Sequence, residues 1–210
     1  MSRKLNVLVA CECSGIVRDE FLKLGHYAIS CDILPCDRPG EHHQGDVREL
    51  LEGNFWDLMI AHPPCTHLSV SGARWATDHW VKKQNHPEGG YWHDGSMKRL
   101  LQIEALEFVK ALVNAPIPKI CIENPVSIIS SRIRKPDQWI QPWQFGHGET
   151  KKTGLWLKNL PNLTPTRIVK GREDRIHKMT PSEDRGKLRS ITYTGIAKAF
   201  AKQWGGKVDE

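Results

Sequence analysis

A cysteine that follows two prolines has the residue pattern of a nucleophilic site. In Pro63-Pro64-Cys65 the prolines fix the backbone ahead of the thiol and remove two N–H donors. A turn or helix start after Cys65 is expected to lower the pKa of the thiol and favour the thiolate, which is the attacking form. Taken alone, the same residues also fit a structural turn that holds a half-buried thiol.

Two acidic residues end apolar runs, where a carboxyl can act as an acid or as a ligand. Glu123 is followed by Asn124 and Pro125, and a partly desolvated carboxyl can be held protonated near neutral pH. It would then donate a proton to a ring nitrogen, although it fits a helix cap or an ion pair with Lys or Arg equally well. Asp32 suits the ribose hydroxyls of a nucleoside cofactor, or else a helix cap or turn.

Apolar runs alternate with segments of helical spacing, and this alternation positions both motifs. We expect strands at 5–10, 27–33, 55–61, 119–123 and 153–157, helices at 17–24, 96–114 and 191–204, and a short helix or turn at 46–51. The pattern predicts an α/β fold with a mostly parallel sheet. Ligands of such sheets bind at the carboxyl ends of the strands, where Asp32, Cys65 and Glu123 fall.

The less regular segments support three further expectations. Ser96 is expected to cap the long helix, and a strand is expected to end at Tyr193 before the last helix. Residues 73–95 are expected to form a long mobile loop. The tryptophans of this loop are expected to pack against the domain; they are Trp75, Trp80 and Trp92.

Composition is typical of a soluble single-domain protein. The chain has 210 residues and a formal net charge of +6, which favours an anionic partner. No apolar run reaches the ~18 residues of a membrane span and the N-terminus lacks a signal-peptide pattern, so a cytoplasmic protein is expected. Cys31 and Cys121 lie in apolar runs and are expected to be buried thiols. The His and Cys pairs lack the matching second pair of a zinc site, so no metal is expected.

The Cys and Glu motifs together resemble those of a known enzyme family. Pro-Pro-Cys, with Ser69 and Gly72 at the fourth and seventh positions after the cysteine, resembles the catalytic motif of C5-cytosine DNA methyltransferases. The stretch Glu123-Asn124-Pro125 resembles that family's Glu-Asn-Val motif. The resemblance implies a Rossmann-like S-adenosylmethionine-dependent methyltransferase fold, with Cys65 as nucleophile and Glu123 as proton donor to cytosine N3. It also implies substrate contacts from Pro64, Ser69, Asn124, Lys151 and Lys152.

The same resemblance implies S-adenosylmethionine as cofactor and places its site at the first strand ends. The turn after the first strand would hold the methionine part, Asp32 the ribose and Asp46 the adenine amino group. A segment at 190–203 resembles the one that lines the family's cofactor pocket. The implied cofactor-binding residues are Glu12, Ser14, Gly15, Asp32, Ile33, Asp46, Val47, Pro63, Thr194 and Gly195.

The chain departs from the family's pattern in ways that affect its size and its substrate contacts. The glycine-rich turn is replaced by the stretch 10–15, Thr66 stands where Gln is usual, and the Gln-x-Arg-x-Arg segment is reduced to one around Lys151 and Lys152. One of these lysines is expected to contact the cytosine O2 or a phosphate. A single methyltransferase domain is expected over 1–210, with 126–188 as a reduced target-recognition-like insertion and 189–210 returning to the cofactor pocket. Such compact forms resemble those carried by phages and prophages, which implies the cytoplasm of a bacterial host.

The expected reaction is methylation of cytosine C5 in duplex DNA, after base flipping and through a Cys65–C6 bond. The Lys and Arg residues over 132–189 would neutralise phosphates or form a solvated face, and so small a region is compatible with a separate specificity subunit. The same chemistry on a free cytosine nucleotide or on single-stranded nucleic acid is one alternative. A catalytically inactive protein that binds nucleic acid or cofactor is another. An amino-group methyltransferase is disfavoured because His62-Pro63-Pro64-Cys65 lacks the Asp/Asn-Pro-Pro-aromatic pattern.

Overall fold

The computed structural model describes residues 3–180, 182 and 185–208, so the two ends of the predicted domain at 1–210 lie outside the described residues. The strands are β1 Asn6–Ala10, β2 Tyr27–Asp32, β3 His42–Gln44, β4 Leu58–Ala61, β5 His79–Lys82, β6 Gly90–His93, β7 Lys119–Pro125, β8 Gln138–Ile140 and β9 Thr153–Lys158. The α-helices are α1 Ile16–Leu22, α2 Ser96–Val113, α3 Ile129–Arg132, α4 Arg175–Lys178, α5 Arg185–Ser190 and α6 Thr194–Phe200. Short 3₁₀ helices span Val47–Leu50, Val70–Ala76 and Pro142–Gln144, and a π-helical turn at Ala201–Gly205 continues α6.

Seven of the described strands form one sheet in the order β3-β2-β1-β4-β7-β9-β8. Every pairing in it is parallel except those of β9, which runs antiparallel to both β7 and β8. The chain moves outward from β1 to β3 and then returns to β4 on the other side of β1, which makes the β1–β4 boundary a topological switch point. This is the predicted Rossmann-like α/β fold, and it brings the carboxyl ends of β1, β2, β4 and β7 to one edge.

The sheet separates two apolar layers because side chains alternate along each strand. On one face Val7 and Val9 of β1 pack with Phe21 of α1 and with α6. On the other face Leu8 packs with Leu112 of α2 and their neighbours. All these side chains are fully buried or nearly so, and burial of each contributes roughly 1.5–3 kcal/mol to folding. Cys31 and Cys121 are buried within these layers, as predicted.

The segment expected to be a long loop at 73–95 is mostly regular structure. The 3₁₀ helix Val70–Ala76 leads into an antiparallel hairpin of β5 and β6. The Asp78 carboxylate closes its base by accepting the Gly95 N–H at 2.8 Å and by pairing with Arg99 at 2.9 Å. These strands lack the apolar–polar alternation that predicts a strand, because polar and aromatic residues occupy both of their faces.

The tryptophans of the hairpin do not pack as predicted. Trp80 and Trp92 lie directly opposite each other across the two strands, and they are 46% and 64% exposed. Trp75 alone is half-buried, with its ring edge-on to His93 at a centroid distance of 4.9 Å. The prediction that these residues pack against the domain is therefore wrong for Trp80 and Trp92.

Two element ends also differ from expectation. Ser96 is the first residue of α2 rather than its cap, because the Asp94 carboxylate accepts the Ser96 N–H at 2.8 Å. Tyr193 does not end a strand; it directly precedes α6 in an extended conformation. Within 126–188, β8 and β9 belong to the main sheet. No helix of the described chain is both long and apolar enough to cross a membrane.

Candidate active site

The loop that carries Cys65 is tied to the strand that carries Glu123. Asn124 is buried, and its side-chain amide donates to the Pro63 carbonyl at 2.8 Å. The Cys65 carbonyl accepts the Ser69 N–H at 2.8 Å, so the chain turns directly after the thiol. The two motifs, which are 58 residues apart in the sequence, therefore lie in one site at the carboxyl ends of β4 and β7.

The electrostatic state of Cys65 is the reverse of the prediction. Desolvation and the negative charge of Glu123 raise the pKa of the thiol, while the charges of Lys151 and Arg189 lower it by less. The turn after Cys65 forms as expected, but desolvation of the thiol and the Glu123 carboxylate outweigh the two cations and the backbone hydrogen bond that lower its pKa. In the free protein Cys65 is therefore a neutral thiol at neutral pH. The residue as a whole is exposed.

Glu123 also differs from the expectation that it is held protonated. Desolvation raises the pKa of its carboxyl, but a hydrogen bond from His62 and the charge of Lys151 lower it by more. The net pKa lies below the usual range, so Glu123 is a carboxylate in the free protein. His62 Nδ1 lies 3.1 Å from Glu123 Oε2, and only 15% of the Glu123 side chain is exposed.

The structure distinguishes between the two lysines that the sequence left equivalent. Lys151 acts on both Cys65 and Glu123 through its charge, and its ammonium donates to the Arg189 carbonyl at 2.8 Å. Lys152 instead lies over the Trp139 ring, 4.7 Å from its centroid. Lys151 is therefore the lysine that belongs to the site.

The other predicted substrate contacts have structural roles in the free protein. The Ser69 hydroxyl is 2.8 Å from that of Ser71 and caps the 3₁₀ helix that follows. Lys98 of α2 donates to the Thr66 carbonyl at 2.9 Å and to His67 Nδ1 at 3.1 Å, which fixes the outer side of the loop. The loop around the thiol is therefore held from several directions.

A cavity of about 130 Å³ lies beside this loop at the ends of β1 and β2. It is lined by Cys11, Cys31, Asp32, Ile33, Gly45, Asp46, Val47, Pro64 and Phe108. Four of these were predicted to bind the cofactor, namely Asp32, Ile33, Asp46 and Val47; Pro64, a predicted substrate contact, forms part of the wall, whereas Pro63 does not line the cavity. Apolar walls with a few convergent polar groups are typical of small-ligand sites.

The two carboxylates of this cavity have partners in the protein. Asp32 Oδ1 accepts the Leu34 N–H at 2.9 Å. Asp46 caps the helix Val47–Leu50 and accepts the Arg48 N–H and Nε, each at 2.9 Å. The Arg48 guanidinium and N–H lower the pKa of the Asp46 carboxyl. Because a carboxylate has about four acceptor positions, both residues can also accept from a ligand.

The turn between β1 and α1 is built around a buried acid. Glu12 accepts the Ser14 hydroxyl at 3.0 Å and the Val17 N–H at 2.8 Å, so it satisfies the start of α1. Gly15 has φ of 68°, in the left-handed region that glycine tolerates. Cys11 has φ of 57°, a conformation that costs a non-glycine residue roughly 1–3 kcal/mol and is concentrated at functional sites.

The predicted residues near the C-terminus lie at a second, larger cavity of about 350 Å³. Its lining is Ile16, His147, Glu149, Arg175, Ile176, Met179, Leu188, Ile191, Thr192, Tyr193 and Thr194. Glu149 accepts the Tyr193 hydroxyl at 2.7 Å and pairs with Arg175 at 2.7 Å, while the Gly195 N–H donates to His147 Nε2 at 3.0 Å. This cavity contains neither Cys65 nor Glu123, so its size does not make it the reacting centre.

Several residues of the site were missed from the sequence. His62 directly precedes Pro63, and that adjacency was the available signal. Phe108 of α2 lines the cavity and the charge of Arg189 acts on Cys65, but neither residue lies in a motif that indicates this. Over the described part of the chain, no three His, Cys, Asp or Glu side chains are grouped to hold a metal ion.

No protein-family model matches the chain, and no curated protein matches it. Among solved structures it is similar to a protein described as a DNA modification methyltransferase encoded within an E. coli prophage, with 16% identity over 80% of this chain and 52% of that chain, and a TM-score of 0.46. It is also similar to S. pombe Dnmt2 methyltransferase, with 14% identity over 84% of this chain and 54% of that chain, and a TM-score of 0.41. The chain thus spans about half the length of these structures, and likeness at this level assigns no function.

Proposed function

We propose that this chain transfers a methyl group from S-adenosylmethionine to C5 of cytosine in DNA. The observation that carries the proposal is the meeting of Cys65 and Glu123 at one site, where the negative charge of Glu123 raises the pKa of the Cys65 thiol. A thiol and a carboxyl on neighbouring strand ends can act on two positions of one planar ring. The Asn124–Pro63 hydrogen bond keeps the two motifs in register.

Cytosine C5 is a poor nucleophile, and the residues of the site would activate it. Cys65 releases its proton to solvent and its sulfur bonds to C6, while N3 gains a proton from Glu123, which makes the ring enamine-like. Because the thiol pKa is raised in the free protein, its proton must leave when the substrate binds, next to the charges of Lys151 and Arg189. After transfer, C5 gives its proton to water as the sulfur–C6 bond breaks and the Cys65 thiolate leaves. N3 then returns its proton to Glu123, and the thiolate takes up a proton from solvent.

The residues of the 130 Å³ cavity fit the nucleoside part of S-adenosylmethionine. Ile33 and Phe108 offer apolar faces to an adenine ring, and Asp32 and Asp46 offer acceptors to ribose hydroxyls and an amino group. The methionine part would extend toward the turn after β1, where Cys11 is in its left-handed conformation. When bound, S-adenosylmethionine supplies the methyl group that C5 receives.

A nucleic-acid substrate is supported by charge and by the hairpin next to the Cys65 loop. The net charge is +6, and exposed Lys82 and Lys83 lie on the hairpin with Trp80 and Trp92. The base must leave a duplex before Cys65 can reach C6, and exposed aromatic side chains can stack on the bases or fill the gap. A separate specificity subunit would supply sequence preference.

The second candidate is the same reaction on a single strand. Two exposed indoles opposite each other on a two-stranded ribbon are suited to stacking on unpaired bases. A free nucleotide would make little use of them, so they favour a polymer over dCMP. Methyl transfer to duplex DNA, single-stranded DNA and dCMP at matched cytosine concentration ranks the three.

Covalent trapping tests the proposal. DNA that contains 5-fluorocytosine should form a stable adduct with the protein in the presence of S-adenosylmethionine, because fluorine at C5 blocks release of the sulfur. Cys65→Ala should form no adduct, while Cys36→Ala, which removes a half-buried thiol outside the site, should react normally. Absence of an adduct with the unaltered protein, despite cofactor binding, would support an inactive binding protein instead.

A further inference from the structure

His62 connects the two motifs of the proposed active site, because it directly precedes Pro63 and its side chain contacts Glu123. Its backbone N–H donates to the Ala10 carbonyl at 2.9 Å, so the chain is still aligned with β1 when it reaches the prolines. Its Nδ1 is 3.1 Å from Glu123 Oε2, with 9% and 15% of the two side chains exposed. His62 therefore forms a partly buried imidazole–carboxyl pair that the reaction described above does not yet use.

The contact fixes where a proton must be. A carboxylate can only accept, so Nδ1 carries the hydrogen of this bond. The other ring nitrogen, Nε2, is buried and has no hydrogen-bond partner within the described chain. No group of the described chain therefore fixes Nε2 as donor or acceptor, whereas the contact with Glu123 fixes Nδ1 as a donor.

The charged and titratable groups around the pair leave His62 as the proton source. Lys151 lowers the pKa of Glu123, and the charge of Glu123 raises the pKa of Cys65 and Cys121. Arg189 acts on Cys65. Lys151 donates to the Arg189 carbonyl, Cys121 is buried in the core, and within the described chain no hydrogen bond joins the Cys65 thiol to Glu123. The Thr153 hydroxyl donates to the Lys151 carbonyl at 3.1 Å and is not acidic. His62 is therefore the group with a transferable proton already in contact with the carboxyl.

We propose that His62 is a positioning residue for Glu123, which holds its carboxyl and supplies the proton that Glu123 passes to cytosine N3. The inference rests on the proposed function. Glu123 is a carboxylate in the free protein and needs a proton before it can donate one. The Nδ1–H bond of a doubly protonated His62 breaks and an O–H bond forms on Glu123, which leaves a neutral ring with its hydrogen on Nε2. The carboxyl O–H then breaks as N3–H forms, and the proton returns by the same route when the product ring regains its aromaticity.

Two substitutions separate holding from proton supply. In His62→Asn the side-chain amide takes the place of Nδ1–H and keeps the hydrogen bond, but it has no proton to give. In His62→Ala both are lost. His43→Asn is the matched control, because His43 forms a similar contact of 3.1 Å with Glu49 on the surface. Cofactor affinity by calorimetry shows whether each variant is folded and loaded.

Single-turnover methyl transfer is then measured across pH for all four proteins. His62→Asn should be slowed about 10- to 100-fold above neutral pH, within the range that general acid catalysis contributes, with KM and cofactor affinity unchanged. Its rate should begin to fall at lower pH than that of the unaltered protein, because Glu123 must then take its proton from solvent. A His62→Asn variant that matches the unaltered protein in rate at every pH would overturn proton supply by His62.

A carbon-13 NMR titration of the Glu123 carboxyl tests the contact without any activity. The midpoint should rise in His62→Ala, because the ring lowers the pKa of Glu123, and should stay unchanged in His43→Asn. An unmoved midpoint in His62→Ala overturns the inference whatever the substrate is. Absence of methyl transfer from the unaltered protein to every cytosine substrate, by contrast, is the result that defeats the proposed function.

Discussion

A methyl group added at Gly195 should destabilise the fold, because it would collide with backbone atoms of another segment. It lies in the first turn of α6, and its N–H donates to His147 Nε2 at 3.0 Å. A Cβ there would overlap the carbonyl oxygen of Phe145 and come within 3.0 Å of its carbonyl carbon and 3.1 Å of His147 Nε2. The obstacle is backbone, so α6 or the segment around Phe145 must move.

The magnitude follows from three opposing effects. Overpacking costs about 1–3 kcal/mol and the strained hydrogen bond about 0.5–1.5 kcal/mol, while alanine gains up to about 1 kcal/mol over glycine in a helix. Gly195→Ala should therefore destabilise the protein by about 2 kcal/mol, which lowers Tm by roughly 4–8 °C in a chain of this size.

Gly186→Ala is the control, because a Cβ at Gly186 in α5 would meet no atom within 4 Å. Denaturation followed by tryptophan fluorescence should show Gly186→Ala unchanged or slightly stabilised. The reasoning is refuted if Gly195→Ala unfolds at the same denaturant concentration as Gly186→Ala, because the close approach to Phe145 would then not exist.

Three further predictions concern the cofactor, the hairpin and the thiol. Asp32→Ala should weaken S-adenosylmethionine binding roughly 10- to 100-fold in calorimetry, and unchanged binding would remove Asp32 from the cofactor site. Trp92→Ala should weaken binding of oligo(dT) about fivefold or more in a fluorescence titration, whereas Phe55→Ala, also exposed but at the amino end of the sheet, should not. Glu123→Gln should speed alkylation of Cys65 by iodoacetamide near neutral pH, because loss of the negative charge lowers the thiol pKa and increases the thiolate fraction; peptide mass spectrometry that shows a slower reaction would contradict the sign.

Local pattern was sufficient to predict most of the elements that position the site. The 18 residues of α2 repeat an apolar stripe, and β1, β4 and β7 are short apolar runs that end at chemistry-bearing residues. Cys65 and Glu123 were identified because each lies in a contiguous motif. The order of the sheet then brings the two together, as the position of ligands at strand ends requires.

The charge states of the site could not be predicted in this way. They depend on the contact between His62 and Glu123, which are 61 residues apart, and on the charge of Lys151, which lies just before β9. No local sequence motif contains these three residues. The predicted direction of the pKa shift was therefore wrong for both Cys65 and Glu123, although the positions of the two residues at strand ends were expected.

Two other features could not be predicted from local pattern either. Arg18 of α1 is fully buried and donates to the Pro39 carbonyl at 2.7 Å, which fixes the loop beyond β2 through a contact between residues distant in sequence. The hairpin of β5 and β6 has aromatic and polar residues on both faces, so no apolar alternation marks its strands.

The central claim is that the chain methylates cytosine at C5 through Cys65. The most direct measurement is mass spectrometry of DNA nucleosides after expression in a host that lacks its own cytosine methylation. The account predicts 5-methyldeoxycytidine with the unaltered protein and none with Cys65→Ala. Methylation of an amino group, or 5-methyldeoxycytidine made equally well by Cys65→Ala, would contradict it.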